Sequence, residues 1–188
     1  MKIKLVGLLV IVFASIGFIS CIDQENTIEA IFEKDLKAIE EYVATSNLVN
    51  VKEFNDPVLG IRVIWQELSN SGVKIARGDT ISTDYTGRLL ANDAIFDTSI
   101  EAVAVQNNIF SSQRRYVPLR FRTSSNSSPQ VVISGFEYGL LQMERGDKAT
   151  ILIPSEYAYG NNPPQGIPQN APLIFEVDLI EVKAGPQQ

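Results

Sequence analysis

Hydrophobic and polar positions along the 188 residues change period several times, and each change marks an element. From Glu25 to Ala44 the apolar side chains Ile28, Ile31, Phe32, Leu36, Ile39, Tyr42 and Val43 recur every three or four positions, with Glu29, Glu33, Lys34, Lys37, Glu40 and Glu41 mostly opposite. That spacing predicts an amphipathic helix. Its stripe either packs on the domain that follows or serves a second molecule as a dimer arm. Thr45 to Asp56 is polar and mixed and reads as a connection that Asp56-Pro57 closes. Leu59, Ile61, Val63 and Trp65 then alternate with Gly60, Arg62 and Ile64, a first strand stopping near Leu68 before the turn Ser69 to Gly72. After the turn Arg77-Gly78-Asp79, the side chains Ile81, Thr83 and Tyr85 point inward along a strand that reaches Gly87.

Extended pairing resumes from Ala94 to Ser99, where Phe96 and Asp97 face opposite sides unless a bulge re-aims one of them. Ile100 to Val117 has mixed polarity and is predicted as a surface excursion or a short helix. Leu119 and Phe121 restore a strand after Pro118, and Thr123 to Pro129 is a polar turn. The spacing of Phe136, Leu140, Leu141 and Met143 predicts one short helix within Ser134 to Asp147, closed by Gly146. From Lys148 the period drops to two, with Ala149, Ile151 and Ile153 on one face and Thr150 and Leu152 on the other, until Pro154 ends the run. In the last strand, Leu173 to Val182, Leu173, Phe175, Val177 and Leu179 alternate with Ile174, Glu176, Asp178 and Ile180.

Composition narrows what such a chain does. A hydrophobic content of 45% at this length suits one compact domain with extra segments. With 16 basic and 22 acidic residues the net charge is −6, which points away from nucleic acid. The absence of histidine excludes a histidine metal site or triad, and the single cysteine excludes an internal disulfide. That cysteine ends a segment with Lys2 and Lys4 followed by an apolar run from Leu5 to Ile19. The run is shorter than the ~20 residues of a spanning helix and reads as a secretory signal. Its end, FISC, resembles a bacterial lipobox, in which Cys21 receives acyl chains such as palmitate and residues 1–20 are removed. An ordinary cleavable signal is the alternative.

Six stretches together resemble a known family. DYTG from Asp84, FDTS from Phe96, VISGFEYGL from Val132, GDKATILIP from Gly146, YAYG from Tyr157 and LIFEVDL from Leu173 are similar, in order, to the blocks of FK506-binding-protein-type peptidyl-prolyl isomerases. The resemblance implies an α+β fold, an antiparallel sheet of about five or six strands wrapped around a short helix, with the N-terminal helix outside it. The expected organisation is a lipoprotein signal at 1–20, helix and linker at 21–56, the isomerase domain at 57–184 and a tail at 185–188. The implied function is cis-trans isomerisation of proline-containing polypeptide clients, without a cofactor, as a folding helper. The anchor on Cys21 would hold it to a membrane of the bacterial envelope, facing the periplasm or the cell surface. Two other readings stay open on the same fold. One is a non-catalytic peptide-binding chaperone, the other a structural subunit of an envelope complex held through the 25–44 helix or the 100–117 insertion.

The resemblance assigns Tyr85, Phe96, Asp97, Ile133, Tyr159 and Phe175 to catalysis, and Leu119, Phe121, Val132, Phe136 and Ile167 to substrate binding. By residue type alone the apolar members read as core. The resemblance gives the Tyr159 hydroxyl and the Ile133 backbone N–H the task of donating to peptide carbonyls. Asp97 then orients Tyr159 or meets the ligand. Departures from the family pattern are Phe136 in place of a floor tryptophan, Leu119 in place of a wall aromatic, and a loop after YAYG that has no histidine.

Overall fold

The computed structural model of the protein describes residues 27–125 and 129–185. The signal segment, the lipidation position Cys21 and part of the turn from Thr123 to Pro129 lie outside the described residues. In chain order the elements are α1 (Ile28–Thr45), β1 (Lys52–Asn55), β2 (Arg62–Glu67), β3 (Thr80–Leu89), β4 (Ile95–Thr98), α2 (Glu101–Gln106), β5 (Leu119–Arg122), α3 (Ser134–Leu140), β6 (Lys148–Ile153) and β7 (Leu173–Lys183). A 3-10 turn, Ser155–Tyr157, lies between β6 and β7.

The strands form one seven-stranded sheet in the order β1-β2-β6-β7-β3-β4, with β5 also on β3. Every pairing is antiparallel. The α+β class is as expected, and the sheet is one strand larger than the upper expectation. The extra strand is β1, inside the segment read as a linker, so the sheet begins before residue 57. Lys52, Glu53 and Asn55 are exposed and only Phe54 is partly covered, so this edge strand has no apolar alternation to betray it.

The period-two pattern of β6 and β7 divides two apolar layers. On one face Ala149, Ile151, Ile153, Leu173, Phe175, Val177 and Leu179 pack with Phe136, Leu140 and Met143. Helix α3 lies close to β6 because Gly135 and Gly139 meet it. A Cβ at Gly135 would sit 2.3 Å from Ile153, and one at Gly139 2.5 Å from Ile151. The helix ends at Leu140, sooner than its spacing predicts. Beyond it Gln142 and Met143 donate to carbonyls three residues back, Gly139 and Leu140, so tight turns rather than helix keep Met143 inward. Gly146, at φ +91°, redirects the chain into β6.

On the opposite face Ile39 of α1 packs on Ile64, Leu152 and Ile174. The N-terminal stripe therefore lies on its own domain. Thr27 caps this helix by accepting a hydrogen bond from the Ala30 N–H.

Candidate active site

Six parts of the chain converge at one end of the first apolar layer. Strand β3 supplies Tyr85 and β7 supplies Phe175, its ring centroid 6.2 Å from that of Tyr85. The start of α3 supplies Phe136, whose ring lies 4.8 Å from Phe175 and forms the floor. In β4 the register slips between Gly87 and Arg88, which pair with Asp97 and Ile95, so Phe96 is the extra residue of a bulge. That bulge puts Phe96 and Asp97 on the same cavity, the outcome the alternation alone forbade. Phe96 then stands edge-on to Phe175 at 5.7 Å. Gly87 makes this packing possible, since a Cβ there would come within 2.6 Å of Phe96 and 3.0 Å of Phe175.

Leu119, Val131, Val132 and Ile133 complete the walls, and Tyr159 stands at the rim, around a cavity of about 170 Å³. Larger clefts exist, one of about 310 Å³ beside α1 and Asn161. None of these is lined by more than one phenylalanine, whereas Phe96, Phe136 and Phe175 all line this cavity.

The polar rim holds a charge-assisted network. The Tyr85 hydroxyl donates to Asp97 Oδ2 at 2.5 Å. Arg114 pairs with Asp97 Oδ1 and donates to the Tyr85 oxygen at 3.0 Å. Burial, reinforced by the hydrogen bond to Asp97, pushes the Tyr85 hydroxyl above the usual phenol range. For Arg114, burial alone would weaken the charged form, but its bonds to Asp97 and Tyr85 outweigh that and raise its pKa. Burial, with the charge of Asp97, also pushes the Tyr159 hydroxyl up. All three groups hold their protons through neutral pH. Among the described residues neither the Tyr159 hydroxyl nor the Ile133 backbone N–H has a hydrogen-bond partner, so two unpaired donors belong to residues that line the cavity.

A family model described as FKBP-type peptidyl-prolyl cis-trans isomerase matches residues 72–180. The chain belongs to that family. Among curated relatives of this FKBP-type isomerase, FK506-binding protein 2 of Aspergillus oryzae is 37% identical over 109 residues, which is 58% of this chain and 69% of that protein. The short-type peptidyl-prolyl cis-trans isomerase of Methanocaldococcus jannaschii is 37% identical over 86 residues, 46% of this chain and 51% of that one. Among solved structures, a peptidyl-prolyl cis-trans isomerase of Pseudomonas syringae matches with a TM-score of 0.55 and 28% identity, over 84% of this chain and 97% of that chain. FkpA from Escherichia coli matches with a TM-score of 0.57 and 27% identity; it covers 84% of this chain, which spans 65% of FkpA.

Nine of the FKBP-type site residues read from the sequence line the cavity. Phe121 and Ile167 do not. Phe121 is one step beyond Leu119 along β5, opposite Ile81, and is buried in the core. Ile167 is likewise 8% exposed under the loop that follows Tyr159 and packs into the same core. Asp97 holds Tyr85 rather than Tyr159, because the bulge aims its carboxylate toward β3. Sequence reasoning missed Val131 and Arg114. The only signal for Arg114 was a cation inside the insertion that follows Asp97, since a long side chain reaching in from a polar loop leaves no periodic trace.

Proposed function

We propose that this FKBP-type isomerase acts on proline-containing polypeptides in the bacterial cell envelope, anchored by lipid on Cys21. Rotation about an X-Pro bond faces a barrier of ~18–20 kcal/mol because the twisted amide loses its resonance. Twisting also moves charge off the amide oxygen, so a dry apolar wall favours the twisted state over the planar one. Phe96, Phe136 and Phe175 form that wall. Hydrogen bonds to the rotating carbonyl itself would favour the planar amide, so the free donors of Tyr159 and Ile133 serve best on the flanking peptide carbonyls. The network of Tyr85, Asp97 and Arg114 braces the wall beside them. The observation that carries the reading is this pair of unpartnered donors at the rim of an aromatic cup.

Tyr159→Phe is the cleanest test, because it removes the hydroxyl and leaves the ring. The expected loss in kcat/KM on a prolyl peptide is about 1.5–3 kcal/mol of transition-state stabilisation. The urea midpoint should stay unchanged, since the hydroxyl has no partner among the described residues. The wild-type rate should be nearly flat between about pH 6 and 8, because Tyr85, Tyr159 and Arg114 keep their protons there and the chain has no histidine. A steep profile in that window, or a Tyr159→Phe protein as fast as wild type, would show that the rim does not work this way. A folded wild-type chain that binds prolyl peptides without accelerating them would favour the non-catalytic chaperone.

The envelope location is supported by Lys2, Lys4, the apolar run Leu5 to Ile19 and the only cysteine, which follows it after the small residue Ser20. In a bacterial host, metabolic labelling should place acyl chains on the wild-type protein. Cys21→Ala should abolish the label and leave the longer precursor. Label retained in Cys21→Ala would exclude this anchor.

A further inference from the structure

Helix α1 carries an aspartate where its apolar stripe calls for a hydrophobic residue. Asp35 lies between Phe32 and Ile39 on the stripe and is 3% exposed. Among the described residues no cation pairs with it. Burial, only partly offset by hydrogen bonds from Ser155 and by the charge of Lys34, pushes its carboxyl above the usual range. A leucine at this position would avoid burying a carboxylate without a counter-charge, which is costly, but would leave the two Ser155 donors that Asp35 serves unpaired. The residue therefore answers to something other than packing.

Both hydrogen bonds it receives come from Ser155, from the backbone N–H at 2.7 Å and the hydroxyl at 2.5 Å, and both end on Oδ2. Ser155 opens the 3-10 turn that leads to Tyr159. Its own carbonyl accepts the N–H of Ala158 at 3.1 Å and of Gly160 at 2.9 Å, the residues on either side of Tyr159. Gly160, at φ +54°, turns the chain away and accepts the Asn170 N–H at 2.8 Å. One helical turn from Asp35, Phe32 stands edge-on to Tyr157 of the same turn at 6.3 Å. The phenol of Tyr159 thus depends for its place on a turn whose first residue is held by a carboxylate 120 positions earlier in the chain.

We infer that Asp35 is a positioning residue for the isomerase site: α1 fixes Ser155, Ser155 fixes both neighbours of Tyr159, and the phenol hydroxyl is thereby aimed at the substrate. This rests on the reading of Tyr159 as a substrate donor. The N-terminal helix is then part of the catalytic unit rather than an appendage.

A double-mutant cycle in the full chain tests it. Asp35→Leu matches the stripe but leaves two buried Ser155 donors unpaired, so it is assayed at a temperature where urea unfolding shows it folded; there it should lose roughly tenfold in kcat/KM with most of the loss in kcat, as expected for a displaced donor. Asp35→Asn keeps one oxygen able to accept both Ser155 bonds and should stay within about threefold of wild type. In a Tyr159→Phe background, Asp35→Leu should change the rate less than about twofold, because the group it positions is gone. An equal loss in both backgrounds, or no loss in the folded Asp35→Leu protein, overturns the proposal. The NMR resonances of the Tyr159 ring, assigned by their absence in Tyr159→Phe, give a readout that needs no catalysis. In Asp35→Leu they should shift or broaden while those of Tyr116 stay in place. Unmoved Tyr159 resonances overturn the positioning, whereas an inactive wild type with moved resonances overturns only the assigned reaction.

Discussion

Phe175→Ala is expected to destabilise the protein by about 3–5 kcal/mol, the usual range for truncating a buried phenylalanine. The position explains the size. The ring is 5% exposed and touches Phe136 and Phe96 at 4.8 and 5.7 Å, so its loss opens a void shared by core and pocket. Phe96 would lose the partner against which its bulge holds it, and the floor ring of Phe136 would lose the nearer of its two aromatic partners. Activity should therefore fall further than the folded fraction does, by roughly a hundredfold in kcat/KM, since a reacting group displaced by an ångström forfeits about that much. Urea unfolding followed by peptide isomerisation, at a temperature where the variant is folded, separates the two effects. Phe175→Leu, which restores most of the volume, should recover the greater part of the stability and less of the rate. Full activity in folded Phe175→Ala would mean that the aromatic cup is not where the amide turns.

Where side chains obey a period, the sequence was explicit about the fold. The alternation of Ala149, Ile151 and Ile153 against Thr150 and Leu152 identified β6 to the residue, and the two faces bury themselves in separate layers. The stripe of α1 was equally legible. Elements without a period were not: β1 is a polar edge strand with one half-covered side chain, and nothing in KEFN distinguishes it from a linker. The site divides the same way. The motif blocks could be read because each is local in the chain, whereas the bulge at Phe96 entered only as the exception that strand alternation allows. Arg114 could not be read, because its meeting with Asp97 is a matter of loop geometry rather than pattern. Asp35 left a trace that periodicity analysis passes over. A charged residue inside an apolar stripe breaks the pattern, and such a break marks a group whose partner lies elsewhere in the fold.

Asp147 presents a larger case of the same kind, and Asp147→Ala should cost about 3–5 kcal/mol, because a buried donor left unpaired costs roughly 1–3 kcal/mol and four are involved. Oδ1 accepts the Ser69 N–H at 2.8 Å and its hydroxyl at 2.9 Å, while Oδ2 accepts Trp65 Nε1 and the Glu144 N–H, each at 2.9 Å. One carboxylate, 2% exposed, thereby ties the end of β2 to the turn between α3 and β6. Only the Trp65 bond is fully buried, and the other three donors are near enough to the surface to regain water, which keeps the total below four full penalties. Burial raises the carboxyl pKa, but the four hydrogen bonds more than reverse it and leave it below the usual range. A folded pKa below the unfolded one means that the unfolded chain takes up this proton first as pH falls. The stabilisation is therefore complete above the ordinary aspartate value near 4 and is lost as pH drops through the lower folded value. Urea midpoints measured between about pH 3 and 6 should show this acid loss in wild type, and Asp147→Asn should lose part of it because its side chain does not titrate. Asp147→Asn should also be less stable than wild type at pH 6, because its amide turns a donor toward two of the four donors already there. Equal midpoints for Asp147→Asn and wild type at pH 6 would mean that the carboxylate does not hold these segments together.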